Sequence, residues 1–156
     1  REYTSVLFEK KQQRFLTKTP VALNEWNDFD GLRIFIGNAE HLSTQSSTVE
    51  KYYFNAQTVN FPFYVRARED GDRMTILGMQ NSKKVSRIFI DDKIPLVERN
   101  YWPLLVDAQN RVLAVLAVRV NDDFSKTKRV ADNFVLAIER MHVNLERLKN
   151  QRRNRI

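Results

Sequence analysis

Three arginines surround a single glycine in the segment Arg66-Ala-Arg-Glu-Asp-Gly-Asp-Arg73. Arg66 and Arg68 are two residues apart, so on a strand their side chains would leave the same face. Gly71 accepts a positive φ without penalty and predicts a turn, after which the chain continues into Arg73. Guanidinium groups so arranged suit bidentate recognition of phosphate. A solvated charged hairpin is the alternative reading, and composition alone leaves both open.

Further basic residues extend this pattern towards residue 102. The window of residues 64–102 also holds six acidic residues, so part of the basic set is expected to be paired internally. Asp72 is a candidate partner of Arg73. Tyr64, Tyr101 and Trp102 are expected in the core rather than as stacking platforms. Besides the three arginines, the basic residues of this window include Lys83, Lys84, Arg87, Lys93 and Arg99, and several of them could act on one anion.

The sequence offers no persuasive catalytic centre. It has no cysteine, which excludes thiolate chemistry, and its two histidines are far apart, so we predict no metal site. The four glycines form no phosphate-binding loop. Asp91-Asp92 and Asp122-Asp123 are sequence neighbours whose side chains point apart on a regular element, so neither pair suits catalysis, and a structural role is expected for Asp91.

Composition fits one globular domain of 156 residues, with 42% apolar and 29% charged residues. The net charge of +7 is unevenly spread: residues 1–125 carry 17 Lys/Arg against 16 Asp/Glu, whereas residues 126–156 carry 9 against 3. We therefore expect a nearly neutral β-rich domain over 1–125 and a basic C-terminal segment over 126–156. No membrane span or leader sequence is evident, and the chain has the character of a piece of a longer protein.

Alternating and β-rich segments predict a mostly β body. Strands are expected over 2–8, over Pro20–Trp26 and Leu32–Ile36 as a hairpin around a turn at 27–31, over Thr48–Phe54, and over Phe61–Arg68. The segments Pro103–Asp107 and Arg111–Val118 predict a second hairpin, and the apolar run from Leu113 indicates a central, covered strand.

One short helix is predicted over Lys83–Asp91, with Ser82 as its N-cap and Pro95 beyond its end. Val85, Ile88 and Phe89 have the i, i+3, i+4 spacing of one apolar face. Lys83 and Lys84 would then lie at the helix start, where backbone N–H groups also attract an anion. The run Ile88–Ile90 also fits a strand.

The last thirty residues fit two structures. Apolar residues from Val130 to Leu148 repeat at helical spacing, whereas Phe134–Ile138 suits an edge strand. The final residues from Arg152 are expected to form a frayed basic end.

The order Arg-x-Arg-x-x-Gly-Asp-Arg, then Ser-Lys-Lys-Val-x-x-x-Phe-Ile-Asp-x-Lys-Ile-Pro, then Glu-Arg and Pro-Leu-Leu-Val-Asp resembles the C-terminal domain of bacterial tRNA(Ile)-lysidine synthetases. The resemblance runs from about Phe54 to Arg119. It implies an α+β fold: a β-rich layered sandwich with one or two helices, similar to a domain of the phenylalanyl-tRNA synthetase β subunit. It also implies that Gly71, Asp72, Asp91 and Pro95 shape the turn and helix. The residues with which the resemblance implies RNA contact are Arg66, Arg68, Arg73, Lys83, Lys84, Arg87 and Lys93.

The resemblance further implies a cytoplasmic tRNA-modifying ligase, which uses ATP with Mg to join lysine to the wobble cytidine of tRNA(Ile). ATP is held in that family by an N-terminal domain with a Ser-Gly-Gly-x-Asp-Ser loop, which this sequence lacks. No cofactor is therefore expected in this chain, and its expected partners are tRNA(Ile) and the N-terminal catalytic domain. The alternative is a docking domain, within the protein or between proteins, without direct RNA contact.

Overall fold

Short β-strands separated by turns build most of the molecule. The computed structural model describes residues 18–29, 31–43, 48–76, 81–126 and 133–140. The first six strands are β1 (Thr19–Pro20), β2 (Trp26–Phe29), β3 (Leu32–Gly37), β4 (Glu50–Asn55), β5 (Tyr64–Arg66) and β6 (Arg73–Met74). The other six are β7 (Lys83–Lys84), β8 (Leu104–Val106), β9 (Val112–Val115), β10 (Arg119–Val120), β11 (Ser125–Lys126) and β12 (Asn133–Arg140). One α-helix, α1 (Val85–Asp91), and two 3₁₀ turns, Ala39–His41 and Leu96–Glu98, complete the described elements.

The strands form two five-stranded antiparallel sheets and one small ribbon. The first sheet has the order β1-β5-β8-β9-β10, the second has the order β11-β4-β12-β3-β2, and β6 pairs with β7. The two large sheets pack face to face, because apolar residues from both enter one buried cluster. Examples are Ile34 and Leu136 from the second sheet and Val65, Leu105 and Leu113 from the first.

Helix α1 covers the other face of the first sheet. Val85, Ile88 and Phe89 are fully buried, as their spacing predicts, and they pack in one cluster with Leu104 and Val115 of the sheet. The result is the expected α+β layered sandwich, with two sheets and a helix as the third layer.

The end of α1 is closed by two backbone hydrogen bonds. Lys93 N–H donates to the Ile90 carbonyl at 3.1 Å, and Ile94 N–H donates to the Phe89 carbonyl at 2.9 Å. Lys93 has φ 58°, a conformation that glycine commonly supplies at this position. The chain then turns sharply into Pro95, as the sequence predicts.

Several predicted boundaries are wrong. Lys83 and Lys84 belong to β7, so the helix begins at Val85 and its N-cap residue is Lys84, with no side-chain capping bond. The strand expected over Phe61–Arg68 is β5 alone, and the predicted turn at 27–31 lies largely within β2. A hairpin onto β3 is present, but its first strand is β2, which shares only Trp26 with the predicted strand, and Pro20 belongs to β1 in the first sheet.

The ambiguous segment near residue 134 is a strand, but a central one. β12 pairs with β3 on one side and with β4 on the other. It is therefore part of the second sheet, although it lies beyond the boundary expected at residue 125. Two of the predicted features lie outside the described residues: the strand expected at 2–8 and the basic end from Arg152. Of the segment 126–156, the structure describes only the residues in β11 and β12. Within the described ranges, no helix is long and apolar enough to cross a membrane.

Candidate nucleic-acid interface

Arg66 lies inside the domain and holds the Gly71 turn. Its Nη1 and Nη2 donate to Asp72 Oδ2 at 2.8 Å and Oδ1 at 2.9 Å. Its Nε donates to Asn110 Oδ1 at 2.9 Å, and Nη1 also donates to the Ala67 carbonyl. Only 3% of the side chain is exposed. The side chain is thus turned inward and engaged by protein atoms, and its predicted RNA contact stays a prediction.

Asp72 is the centre of the turn that follows. Besides Arg66, its carboxylate accepts from the Glu69 N–H at 2.8 Å, and its carbonyl accepts from Val85 N–H at 2.9 Å. Gly71 has φ 87°, as a turn glycine should. Asp72 thus shapes the turn as expected, but its partner is Arg66 rather than Arg73.

Arg73 and Lys84 face each other across the β6–β7 ribbon. They are direct register partners, and both side chains are exposed. Their neighbours Met74 and Lys83 form the other pair, with Met74 buried against α1. Since successive residues of a strand point to opposite faces, Arg73 and Lys84 both project away from the helix.

The Arg73 guanidinium is oriented by Ser82. Nε donates to Ser82 Oγ and Nη2 donates to the Ser82 carbonyl, both at 2.8 Å. Ser82 therefore serves the arginine and not the helix N-terminus. Neutral partners leave the positive charge of Arg73 uncompensated. Within the described ranges, no carboxylate forms a salt bridge with Arg73, Lys84 or Lys93.

Two of the residues predicted to contact RNA, Lys83 and Arg87, form salt bridges with Asp91 at the end of α1. Lys83 Nζ binds Asp91, and Arg87 Nε lies 3.3 Å from the other oxygen of the same carboxylate. The hydrogen bond from Lys83 holds the pKa of Asp91 below its ordinary value of 3.8. This pairing gives Asp91 the structural role that was expected, and it partly neutralises Lys83 and Arg87.

Arg68 and Lys84 line one open depression of about 210 Å³, whose other lining residues are the acidic Glu69, Asp70 and Asp72 together with Gly71 and Ser86. Arg68 lies beyond the end of β5, where its Nη1 is 3.3 Å from the exposed Asp70 and its Nη2 is 3.5 Å from Asn100 Oδ1. We call Arg68, Arg73 and Lys84 the cationic surface. Lys93 is also exposed, at the far end of α1.

The aromatic residues at the ends of the basic window have mainly structural positions. Trp102 donates from Nε1 to the Leu116 carbonyl at 2.9 Å, and both Trp102 and Tyr64 pack against the cluster under α1. Recognition at the cationic surface would therefore rest on charge rather than on stacking by these two rings. No group of three or more His, Asp or Glu residues that could hold a metal occurs in the part of the chain described.

Of the polar residues that orient the arginines, the sequence pattern assigns Ser82 to a different role, as a helix cap, and does not indicate Asn100 or Asn110. A strand assignment for Lys83–Lys84 would have predicted the β6–β7 ribbon and brought Ser82 next to Arg73. The contacts of Asn100 and Asn110 join residues more than thirty positions apart, and no local signal marks them.

Comparison with known proteins identifies this class of domain. A family model described as the TilS substrate C-terminal domain matches residues 63–135. A solved structure described as the TILS C-terminal domain aligns with a TM-score of 0.65 and 27% identity, over 80% of this chain and 97% of that one. The chain belongs to the family of TilS C-terminal domains.

Curated relatives carry the fuller name tRNA(Ile)-lysidine synthase. The protein of Bacillus licheniformis is 40% identical over 82 residues, which cover 49% of this chain and 17% of that protein. The protein of Clostridium tetani is 33% identical over 108 residues, or 69% of this chain and 23% of that protein. The matched part of this chain thus spans less than a quarter of the length of either relative.

Proposed function

We propose that this domain binds the phosphate backbone of tRNA through its cationic surface. The observation that carries the proposal is the placement of Arg73 opposite Lys84. Two like charges directly opposite on a ribbon destabilise it, and no salt bridge to a described carboxylate relieves them. An anion bound between them would compensate both charges.

The arrangement favours backbone contacts over base reading. Ser82 fixes the plane of the Arg73 guanidinium, which suits two parallel hydrogen bonds to one phosphate. Lys84 adds a mobile point charge beside it, and Arg68 lies across the adjoining depression. Phosphate contacts of this kind position RNA without reading its sequence.

We infer that the whole protein is a tRNA(Ile)-lysidine synthase, a ligase that joins lysine to the wobble cytidine with the use of ATP. Its relatives carry that name. ATP and Mg are assigned to a part of the protein outside this chain, because the sequence contains no Ser-Gly-Gly-x-Asp-Ser loop. Because its substrate is tRNA, the protein is placed in the cytoplasm.

A salt titration tests tRNA binding. The 156-residue chain is expected to bind a tRNA(Ile) transcript with an affinity that falls linearly on a log–log plot against salt concentration. Lys84→Ala should weaken binding and lower the magnitude of that slope by roughly 0.7–0.9, as for one lost phosphate contact. Lys51→Ala removes an exposed lysine from β4, in the second sheet, and is the matched control. Absence of salt-dependent binding by the unsubstituted chain would contradict the proposal.

Exposed apolar residues favour a second candidate, in which the domain docks on its own N-terminal catalytic domain. Leu96 is 75% exposed, Val97 62% and Ile90 48%, all at or just beyond α1. Such side chains mark interaction sites when they are contiguous. A chain that ignores tRNA but binds the separately produced catalytic domain, and loses that binding on Leu96→Ser, would favour docking.

A further inference from the structure

We propose that Arg66 is a positioning residue, which acts through Asp72 to set the place of Arg73 and Lys84 and does not itself touch RNA. The proposal rests on the proposed function, since it concerns the same surface. It reverses the assignment that the residue pattern suggests, because Arg66 and Arg68 look equivalent in the sequence. Their exposures separate them: 3% of the Arg66 side chain is exposed, against 24% for Arg68.

Arg66 is committed to Asp72 by geometry. The two parallel hydrogen bonds, of 2.8 and 2.9 Å, use both terminal nitrogens of the guanidinium and both oxygens of the carboxylate. Nε donates to Asn110 Oδ1 in the β8–β9 turn and also lies 3.3 Å from Glu69 Oε1. A phosphate could reach this guanidinium only by displacing a paired and nearly buried carboxylate, which carries a large electrostatic cost.

Asp72 connects this ion pair to both strands of the ribbon. Arg73 is its direct neighbour in the chain and begins β6. The Asp72 carbonyl accepts a hydrogen bond from the N–H of Val85, the residue that immediately follows Lys84 of β7. The carboxylate also accepts from Glu69 N–H and so closes the turn. Fixing Asp72 therefore fixes Arg73 from one side and Lys84 from the other.

Asp70 supplies a matched control in the same turn. Its side chain is fully exposed, and among the described residues it pairs with Arg68, at 3.3 Å. Asp70→Asn and Asp72→Asn both remove one negative charge within three residues of Arg73. Charge alone predicts that both variants bind RNA at least as tightly as the parent chain, because repulsion of phosphate decreases. A positioning role for Arg66 and Asp72 predicts that Asp72→Asn weakens RNA binding and that Asp70→Asn does not.

The experiment compares binding of a tRNA(Ile) transcript by the two variants at fixed salt. We expect Asp70→Asn to bind as tightly as the parent or slightly tighter, and Asp72→Asn to bind about tenfold more weakly, as for the loss of two ordered cations. Equal affinities for the two variants, with parent-like thermal unfolding, would overturn the proposal. Lack of binding by the parent chain would instead count against the proposed function.

Two further measurements keep the proposal decidable if Asp72→Asn folds poorly. Arg66→Lys keeps the charge but loses the fork. A direct phosphate contact predicts an unchanged salt slope, because lysine still neutralises the phosphate as a point charge, whereas a positioning role predicts weaker binding with a smaller slope. Parent-like binding by Arg66→Lys overturns the proposal. In amide NMR spectra without RNA, the resonances of Arg73 and Lys84 should move in Asp72→Asn but not in Asp70→Asn. Unmoved resonances in a folded Asp72→Asn would also overturn it.

Discussion

Arg119 donates two parallel hydrogen bonds to Asp92, from Nε to Oδ2 and from Nη2 to Oδ1, each 2.8 Å long. Asp92 is the C-cap residue of α1 and Arg119 begins β10, so the pair fastens the end of the helix to the first sheet. The hydrogen bond from Arg119 holds the pKa of Asp92 below 3.8, and Asp92 in turn raises the pKa of Arg119. The helical layer is thus fixed by charge at one end and by apolar contacts along its length.

The lowered pKa of Asp92 makes part of the stability dependent on pH. A carboxylate with a depressed folded-state pKa stabilises the fold fully above its unfolded value, and that contribution is lost as the pH falls through the folded value. We therefore expect the free energy of unfolding to fall as the pH drops below 3.8, where Asp91 contributes in the same direction. In Asp92→Asn the decline between pH 5 and pH 3 should be smaller, as measured by urea unfolding. An identical decline in parent and variant would contradict this assignment.

Asp107 closes the β8–β9 hairpin and is fully buried. Its carboxylate accepts from the backbone N–H groups of Asn60, Gln109 and Arg111 and from the Arg111 side chain. Asp107→Ala leaves these donors without their partner and should lower the free energy of unfolding by about 3 kcal/mol. Asp123→Ala, which removes one exposed hydrogen bond from Thr75, should cost less than about 1 kcal/mol. Chemical denaturation measures both free energies of unfolding. Similar losses in the two variants would refute the role of Asp107 in closing the hairpin.

Gly37 lies at the end of β3 against Asn24. A Cβ there would lie 2.2 Å from Asn24 Oδ1 and 2.9 Å from Asn24 N. Asn24 cannot easily retreat, because its N–H donates to Ile36 and its Oδ1 accepts from Asn38. We expect Gly37→Ala to destabilise the fold by about 3 kcal/mol. Gly71→Ala meets no atom within 4 Å, so it should cost only the roughly 1 kcal/mol of its positive φ. Comparison of the two melting temperatures tests whether the clash dominates.

Lys93 occupies a left-handed position that glycine would fill with less strain. Lys93→Gly should therefore raise the free energy of unfolding by about 0.5–1 kcal/mol. If Lys93 contacts RNA, as predicted, the same variant should lower the salt slope of tRNA binding by roughly 0.7–0.9. Lys93→Arg keeps the charge and the strain, and should change neither quantity. A stabilised Lys93→Gly with an unchanged slope would remove Lys93 from the interface.

Local patterns predicted what depends on local contacts. The apolar face of α1 follows from the spacing of Val85, Ile88 and Phe89, and the positive φ of Gly71 follows from its residue type. Alternation also placed Arg66 on one face of a strand, but alternation does not say whether that face is covered. Burial of Arg66 depends on the Gly71 turn and on Asn110, whose separation in sequence conceals their proximity.

Long-range pairing explains the other errors. Phe134–Ile138 was compatible with a helix and with an edge strand because both readings use only its own residues. Its central place depends on β3 and β4, which flank it from distant parts of the chain. A serine before an apolar periodic segment predicts a helix cap at Ser82, whereas its contact with Arg73 follows from the ribbon.

The central position of β12 has a consequence for synthesis. Ile34 pairs with Ile138, so β3 and β4 emerge from the ribosome long before the strand that separates them. Until then their facing edges carry unpaired backbone groups, the feature that makes strand edges prone to aggregation. Pairings of such long sequence separation also slow folding. We therefore expect the second sheet to form only late in translation, and a nascent chain stalled before residue 133 to depend on chaperones.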